Sequence, residues 1–195
     1  DAGARPYLQR AAERRTLDDM LRESGGMHWT AKARVVSDPP KKVIGDGEAE
    51  WLMRAVRPLL TQAKQEVEII SPYFIPGEAG AIELSAMASR GVKVAVLTNS
   101  LAATDVAAVH GAYAHYRVPL LKAGIALFEL KPYDLRSRHS MFGSSGASLH
   151  TKSFMVDGRM GFIGSMNFDP RSASLNSEMG VFFEHPDLVA EMRAI

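Results

Sequence analysis

Apolar and polar positions along the chain fall into two periods. From Glu48 to Gln65, Trp51, Leu52, Ala55, Val56, Leu59, Leu60 and Ala63 recur at helical spacing, which predicts a helix with one buried face. Val67 to Ser71, Val92 to Thr98 and Ile125 to Leu130 are short apolar runs of the β-branched kind found in covered sheets. Between them, Ile82 to Ser89 reads as a helix stopped by Arg90-Gly91, and Thr104 to Ala123 as one or two helices ended by Gly124. Leu149 to Val156 and Met160 to Gly164 flank Asp157-Gly158, a dipeptide that closes tight hairpins. Glu178 to Phe183 is a further strand, and Pro186 opens a closing helix where a missing N–H costs nothing. This order predicts an α/β fold, a mixed β-sheet flanked by helices on both faces.

The first residues are less regular. Pro6 to Glu23 places Tyr7, Leu8, Ala11, Leu17, Met20 and Leu21 among charges, an amphipathic helix ended by Ser24-Gly25-Gly26. Trp29 to Val36 alternates as a strand does and is closed by Asp38-Pro39-Pro40. Lys41 to Gly47 is a polar linker, which divides a leading segment, 1–47, from the main domain, 48–195. Lys131 to Gly146, rich in Ser, Gly and Arg, is expected to be a surface loop made basic by Lys131, Arg136, Arg138 and His139.

Composition narrows the function. An apolar share of 46% and a charged share of 23% are those of a globular domain. Net charge is +1, so there is no basic footprint and nucleic acid is not the expected partner. Without cysteine, disulfides and thiolate chemistry are excluded. No apolar run approaches the roughly 20 residues that span a bilayer. The chain starts at Asp1 and stops at Ile195 inside an apparent helix, which reads as a fragment of something longer.

The chemistry concentrates between Ser148 and Glu178. His150 and Lys152 are two apart and share a face on an extended segment, as do Ser165 and Asn167 after the return strand. The hairpin thus brings an imidazole, an ammonium, a hydroxyl and a carboxamide to one end of a sheet, a set suited to attack on a phosphate ester. Taken singly, each has a plainer explanation in strand packing or turn chemistry.

His150-Thr-Lys152, Asp157 and Gly164-Ser165-Met-Asn167 together resemble the His-x-Lys-x4-Asp signature of the phospholipase D superfamily. The continuation through Asp169-Pro-Arg171-Ser172 to Asn176-Ser-Glu178, and Ser71-Pro72-Tyr73-Phe74-Ile75-Pro76 upstream, are similar to the second half of bacterial cardiolipin synthases. The resemblance implies a phospholipase D-like α-β-α sandwich, one half of a pseudo-twofold pair, with residues 1–47 as the segment between halves. It implies a phosphatidyltransferase in which His150 is the nucleophile and forms a phosphohistidine, and Lys152, Ser165 and Asn167 stabilise the phosphate oxygens. Glu178 is then expected behind His150, fixing its tautomer. Asp157, at the turn, is expected to be a structural carboxylate closing the hairpin.

Arg171 reads either as a phosphate ligand or as a partner of Asp169. Tyr73 and Phe74 read either as the lining of an acyl or headgroup pocket or as core. No cofactor and no metal are implied. The implied substrates are phosphatidylglycerol and a phosphatidyl donor, met peripherally at the cytoplasmic face of the bacterial inner membrane. None of His28, His110, His115, His139 and His185 has a lysine two residues on, so the chain carries one motif where the family uses two. A missing N-terminal half or a symmetry-related chain is the expected partner, and the fragment alone is expected to be inactive. The alternatives are a phosphodiesterase or nuclease acting as a homodimer, and a non-catalytic membrane-associated domain.

Overall fold

The computed structural model of the chain describes residues 27–131 and 148–194; the expected helix over 6–23 and most of the expected basic loop lie outside them. The described residues from Lys32 onward form one compact unit.

Seven strands form a single mixed sheet in the order β1-β7-β6-β5-β2-β3-β4. They are β1 (Ala33–Ser37), β2 (Glu66–Ile70), β3 (Lys93–Asn99), β4 (Ala126–Leu130), β5 (Lys152–Val156), β6 (Met160–Gly164) and β7 (Met179–Glu184). β2, β3 and β4 run parallel, because a helix crosses over between each pair, while β5, β6, β7 and β1 pair antiparallel. The helices are α1 (Leu52–Thr61), α2 (Gly77–Ser89), α3 (Ala107–Lys122), α4 (Pro170–Ser174) and α5 (Pro186–Ala194).

The two faces are sealed by alternate residues of the same strands. Phe154, Phe162 and Phe182 turn to one face and join Leu52, Val56 and Leu60 of α1, Leu84 of α2 and Leu120 of α3 in the main core. Their neighbours Met155 and Phe183 turn to the other and pack on Val189 of α5. The Phe154 and Phe162 rings stack at 4.8 Å, which requires small residues beside them. Gly164 and Gly180 face each other across the β6–β7 pair, and a Cβ on Gly180 would overlap the Phe162 ring.

Several elements differ from the sequence expectation, and tertiary contacts explain each. The helix expected over 48–65 is a 3-10 turn, Glu48–Glu50, followed by α1. Its first amide, Leu52 N–H, donates to Asp38 Oδ1 at 2.6 Å, a cap that sequence cannot reveal. Beyond Thr61 the amides of Gln62 and Ala63 still bond back to Pro58 O and Leu60 O, and those of Lys64, Gln65 and Glu66 donate to the Asp157 carboxylate instead. The helix expected to start at Ile82 starts at Gly77, two glycines having masked its first turn.

β1 is shorter than the expected strand over 29–36 and is shifted toward Ser37, since pairing with β7 sets its extent. The stretch 41–47, expected to be a linker, holds a 3-10 turn, Pro40–Ile44, with Lys42 fully buried.

Candidate active site

One end of the sheet gathers the polar residues. Register places Ile70, Ser153, Ile163 and Val181 in one row across β2, β5, β6 and β7, so the C-termini of β2, β3 and β6 and the N-termini of β5 and β7 open to the same side. His150 precedes β5 by two residues instead of lying within it. β5 starts only at Lys152 because its partners run out, Gly164 being the last residue of β6 and Ile70 of β2.

His150 is exposed. Lys152 Nζ donates to the His150 carbonyl at 2.7 Å and lies 3.4 Å from His150 Nδ1. Partial burial holds the Lys152 amine below its ordinary 10.5, against the opposing pull of Glu178 and Asp105. Both carboxylates therefore lie within electrostatic reach of it.

The segment carrying the imidazole is held by Asn99 at the end of β3. Its Oδ1 accepts from Leu149 N–H at 2.9 Å and its Nδ2 donates to Leu149 O at 3.2 Å. Asn99 was missed from sequence; the available signal was a polar residue closing an apolar strand at the end where α/β sheets bind ligands.

Glu178 is buried, and its two oxygens are already taken. Oε2 accepts from Ser165 Oγ at 2.5 Å and Oε1 from Ser172 Oγ at 2.8 Å. Two expectations change here. Glu178 hydrogen-bonds hydroxyls and not His150, and Ser165 spends its proton on Glu178 while accepting Met179 N–H at 3.0 Å. Ser172 had no assigned role in the sequence, because only the fold brings α4 against Glu178.

Asn167 donates its backbone N–H to Ser172 Oγ at 3.2 Å, and its side-chain Oδ1 is buried without a partner among the described residues. The next residue is anchored as well: Phe168 N–H donates to Ser71 Oγ at 3.0 Å, and Phe168 bridges Phe74.

Tyr73 and Phe74 separate. Phe74 is fully buried in the main core, whereas the Tyr73 hydroxyl donates to Asp105 Oδ1 at 2.7 Å. Burial, followed by that bond, pushes the Tyr73 phenol up to about 12. Arg171 is exposed, and its guanidinium makes no ion pair with Asp169 among the described residues. Asp169 instead caps α4, with Oδ1 accepting from the amides of Arg171 at 2.8 Å and Ser172 at 2.9 Å.

Asp157 sits beyond the opposite end of β5 in a left-handed conformation, φ 51°. Burial raises its carboxyl, but hydrogen bonds from the amides of Glu66, Gln65 and Lys64 outweigh that and hold it below 3.8.

Comparison with known proteins places these features in a family. Residues 56–195 match the family described as "Cardiolipin synthase, PLD-like domain". Cardiolipin synthase C of Escherichia coli (strain K12) is 42% identical over 195 residues, 96% of this chain and 41% of that protein. The chain thus spans about two fifths of that relative. Among solved structures, a phospholipase D family member, Nuc from Salmonella typhimurium, superposes with a TM-score of 0.57 at 21% identity, over 83% of this chain and 89% of that one. Phosphatidylserine synthase of Haemophilus influenzae Rd KW20 gives a TM-score of 0.58 at 17% identity, over 83% and 37%. On the family match and the 42% identity, the chain belongs to the phospholipase D-like domain family of cardiolipin synthases.

Proposed function

We propose that this chain is the phosphoryl-transferring half of a cardiolipin synthase-type phosphatidyltransferase. The observation that carries the reading is the Lys152 amine set between the His150 carbonyl and Nδ1 at the open end of the sheet. Attack on a donor phospholipid by Nε2 uses the tautomer with the ring proton on Nδ1, in which Lys152 donates to the His150 carbonyl and not to Nδ1. A P–N bond forms as the P–O bond to the leaving alcohol breaks, giving a phosphatidyl-histidine. A hydroxyl of phosphatidylglycerol then attacks phosphorus, the P–N bond breaks, and the histidine is regenerated.

Lys152 and the carboxamide of Asn167 face the charge that develops on the phosphate oxygens. An unpaired buried amide oxygen is costly by itself, so Asn167 is suited to a site completed by substrate. Ser165 and Ser172 hold Glu178 within electrostatic reach of Lys152, where it opposes the lowering of that amine by burial. Arg171, with its guanidinium unpaired, and Tyr73 stand at the rim as phosphate or headgroup contacts.

In-line displacement also needs an acid to protonate the leaving oxygen from the other side. A second motif, supplied by an N-terminal half or by another copy of the chain, fills that role, and this chain alone is expected to be inactive. Leu101, Val106 and Leu175 are 56%, 40% and 48% exposed on the loops flanking the site, which supports peripheral contact with a lipid surface at the cytoplasmic face of the inner membrane. No helix among the described residues is long and apolar enough to cross a membrane.

The test is phosphatidyl transfer on mixed vesicles of phosphatidylglycerol and phosphatidylethanolamine, with mass spectrometry of the alkali-quenched protein. The chain is joined to an upstream half in one arm and alone in another, with labelled DNA as a competing substrate. A covalent adduct on His150 that disappears in His150→Ala, at unchanged melting temperature, supports the reading. Faster cleavage of DNA than of lipid would replace it with a nuclease, and absence of any adduct would remove catalysis from this site.

A further inference from the structure

Beneath the site lies an ion pair supplied by a segment 130 to 140 residues upstream of the groups it touches. The side chains of Asp38 and Lys42 are fully buried and 2.6 Å apart. Asp38 Oδ2 also accepts Glu178 N–H at 2.9 Å, and Asp38 N–H donates to Glu178 O at 2.7 Å. Both backbone groups of Glu178 are thereby held by one residue. Lys42 Nζ donates in addition to Ser172 O at 2.8 Å.

The two residues that the pair grips are the two whose side chains bond each other beside Lys152. Burying two charges is expensive, and an apolar pair of similar volume often stabilises a fold equally well. Asp38 also caps α1, but the pair's remaining side-chain hydrogen bonds all fall on Glu178 and Ser172.

We propose that Asp38 and Lys42 are positioning residues for the active site. They fix the backbones of Glu178 and Ser172 so that the Glu178 carboxylate stays locked between Ser165 and Ser172, within reach of the Lys152 ammonium. This rests on the reading that Lys152 serves the phosphoryl chemistry. It assigns a role to the segment before residue 48, outside the catalytic signature: the sheet's edge strand leads into a buried clamp on the acid.

The test compares wild type with Asp38→Leu/Lys42→Met, which fills the space with apolar groups, and with Lys42→Gln, which removes the charge and keeps a donor. Thermal unfolding is measured together with the titration of Lys152, followed by NMR of 13C-dimethylated lysines. Among the described residues, the groups facing Lys152 are the His150 imidazole on its own segment and the carboxylates of Glu178 before β7 and of Asp105, which the Tyr73 hydroxyl holds.

The double variant leaves the amides of Leu52 and Glu178 without their acceptor, so it is expected to melt below wild type and, where folded, to titrate Lys152 at lower pH, because Glu178 is no longer held beside it. Turnover of the two-half protein should fall by about tenfold to a hundredfold in kcat with KM little changed. Lys42→Gln should shift the titration in the same direction by less, and it decides the matter alone if the double variant does not fold. Unchanged titration and rate in the folded variants would reduce the pair to a structural one. Because the titration needs no turnover, an inactive wild type would count against the phosphoryl-transfer reading and leave the positioning result intact.

Discussion

Asp157 belongs to the family signature, yet the structure places it at the wrong end of β5 to meet the chemistry. Substituting it separates a folding role from a catalytic one. Its Oδ1 accepts from the amides of Lys64 at 3.1 Å, Gln65 at 2.7 Å and Glu66 at 3.0 Å, and its Oδ2 accepts from Lys64 at 3.0 Å. Bonds to a charged acceptor contribute about 1.5–3 kcal/mol each when buried, but Lys64 and Gln65 are solvent-accessible and retain water as a partner. The sum for Asp157→Ala is therefore about 2–3 kcal/mol, a fall in Tm of roughly 5–10 °C for a chain of this size.

Asp157→Asn is expected to cost less, since asparagine tolerates the left-handed φ of 51° and keeps one acceptor oxygen. The sign of the pH dependence follows from the direction of the shift. The folded carboxyl lies below its ordinary 3.8, so its contribution is complete above that value and is lost as pH falls through the folded pKa. The stability gap between wild type and Asp157→Asn should thus be constant near neutrality and close only in strong acid. Urea unfolding across pH measures it, alongside phosphohistidine formation in the two-half protein well below Tm. Loss of the adduct at unchanged stability would refute the structural assignment.

Three further outcomes follow. Asn99→Ala should leave the fold intact but free Leu149 and the imidazole after it, lowering kcat by about a hundredfold with smaller effect on KM, as steady-state kinetics would show. In the proposed mechanism Lys152 acts as an ammonium, and its amine is held below 10.5, so activity should fail on the alkaline side before free lysine would titrate. Asp105→Asn, by removing a carboxylate that supports the charge, should move that limb lower still; a limb that stays in place would contradict the electrostatic link. Gly180→Ala forces a Cβ into the Phe162 ring and should cost about 1–3 kcal/mol in denaturant unfolding, with the variants that do fold retaining the site.

Much of the architecture was legible in the chain itself, because local periodicity reports which face of an element is buried. The apolar runs at 67–71, 92–98 and 125–130 became β2, β3 and β4 with bounds moved by about one residue, and Asp157-Gly158 turned the expected hairpin. The juxtaposition of His150 with Lys152 was legible too, since two residues so near in sequence meet whether or not the strand has begun.

What sequence could not supply was any contact made across a hundred residues. The start of α1 is capped by Asp38 and the chain after it is held by Asp157, and neither is encoded in the helix. A carboxylate near an imidazole in the motif was a natural partner for it, but α4 and β6 bring two hydroxyls to Glu178 first. Lys42 looked like solvated linker because its counter-charge and its carbonyl acceptor are apparent only once β1 lies against β7. Local sequence determined which segments bury which faces and where His150 meets Lys152. Tertiary structure decided which polar group satisfies which, because a buried donor takes the acceptor that folding brings within about 3 Å, however distant in the chain, as Lys42 takes Ser172 O.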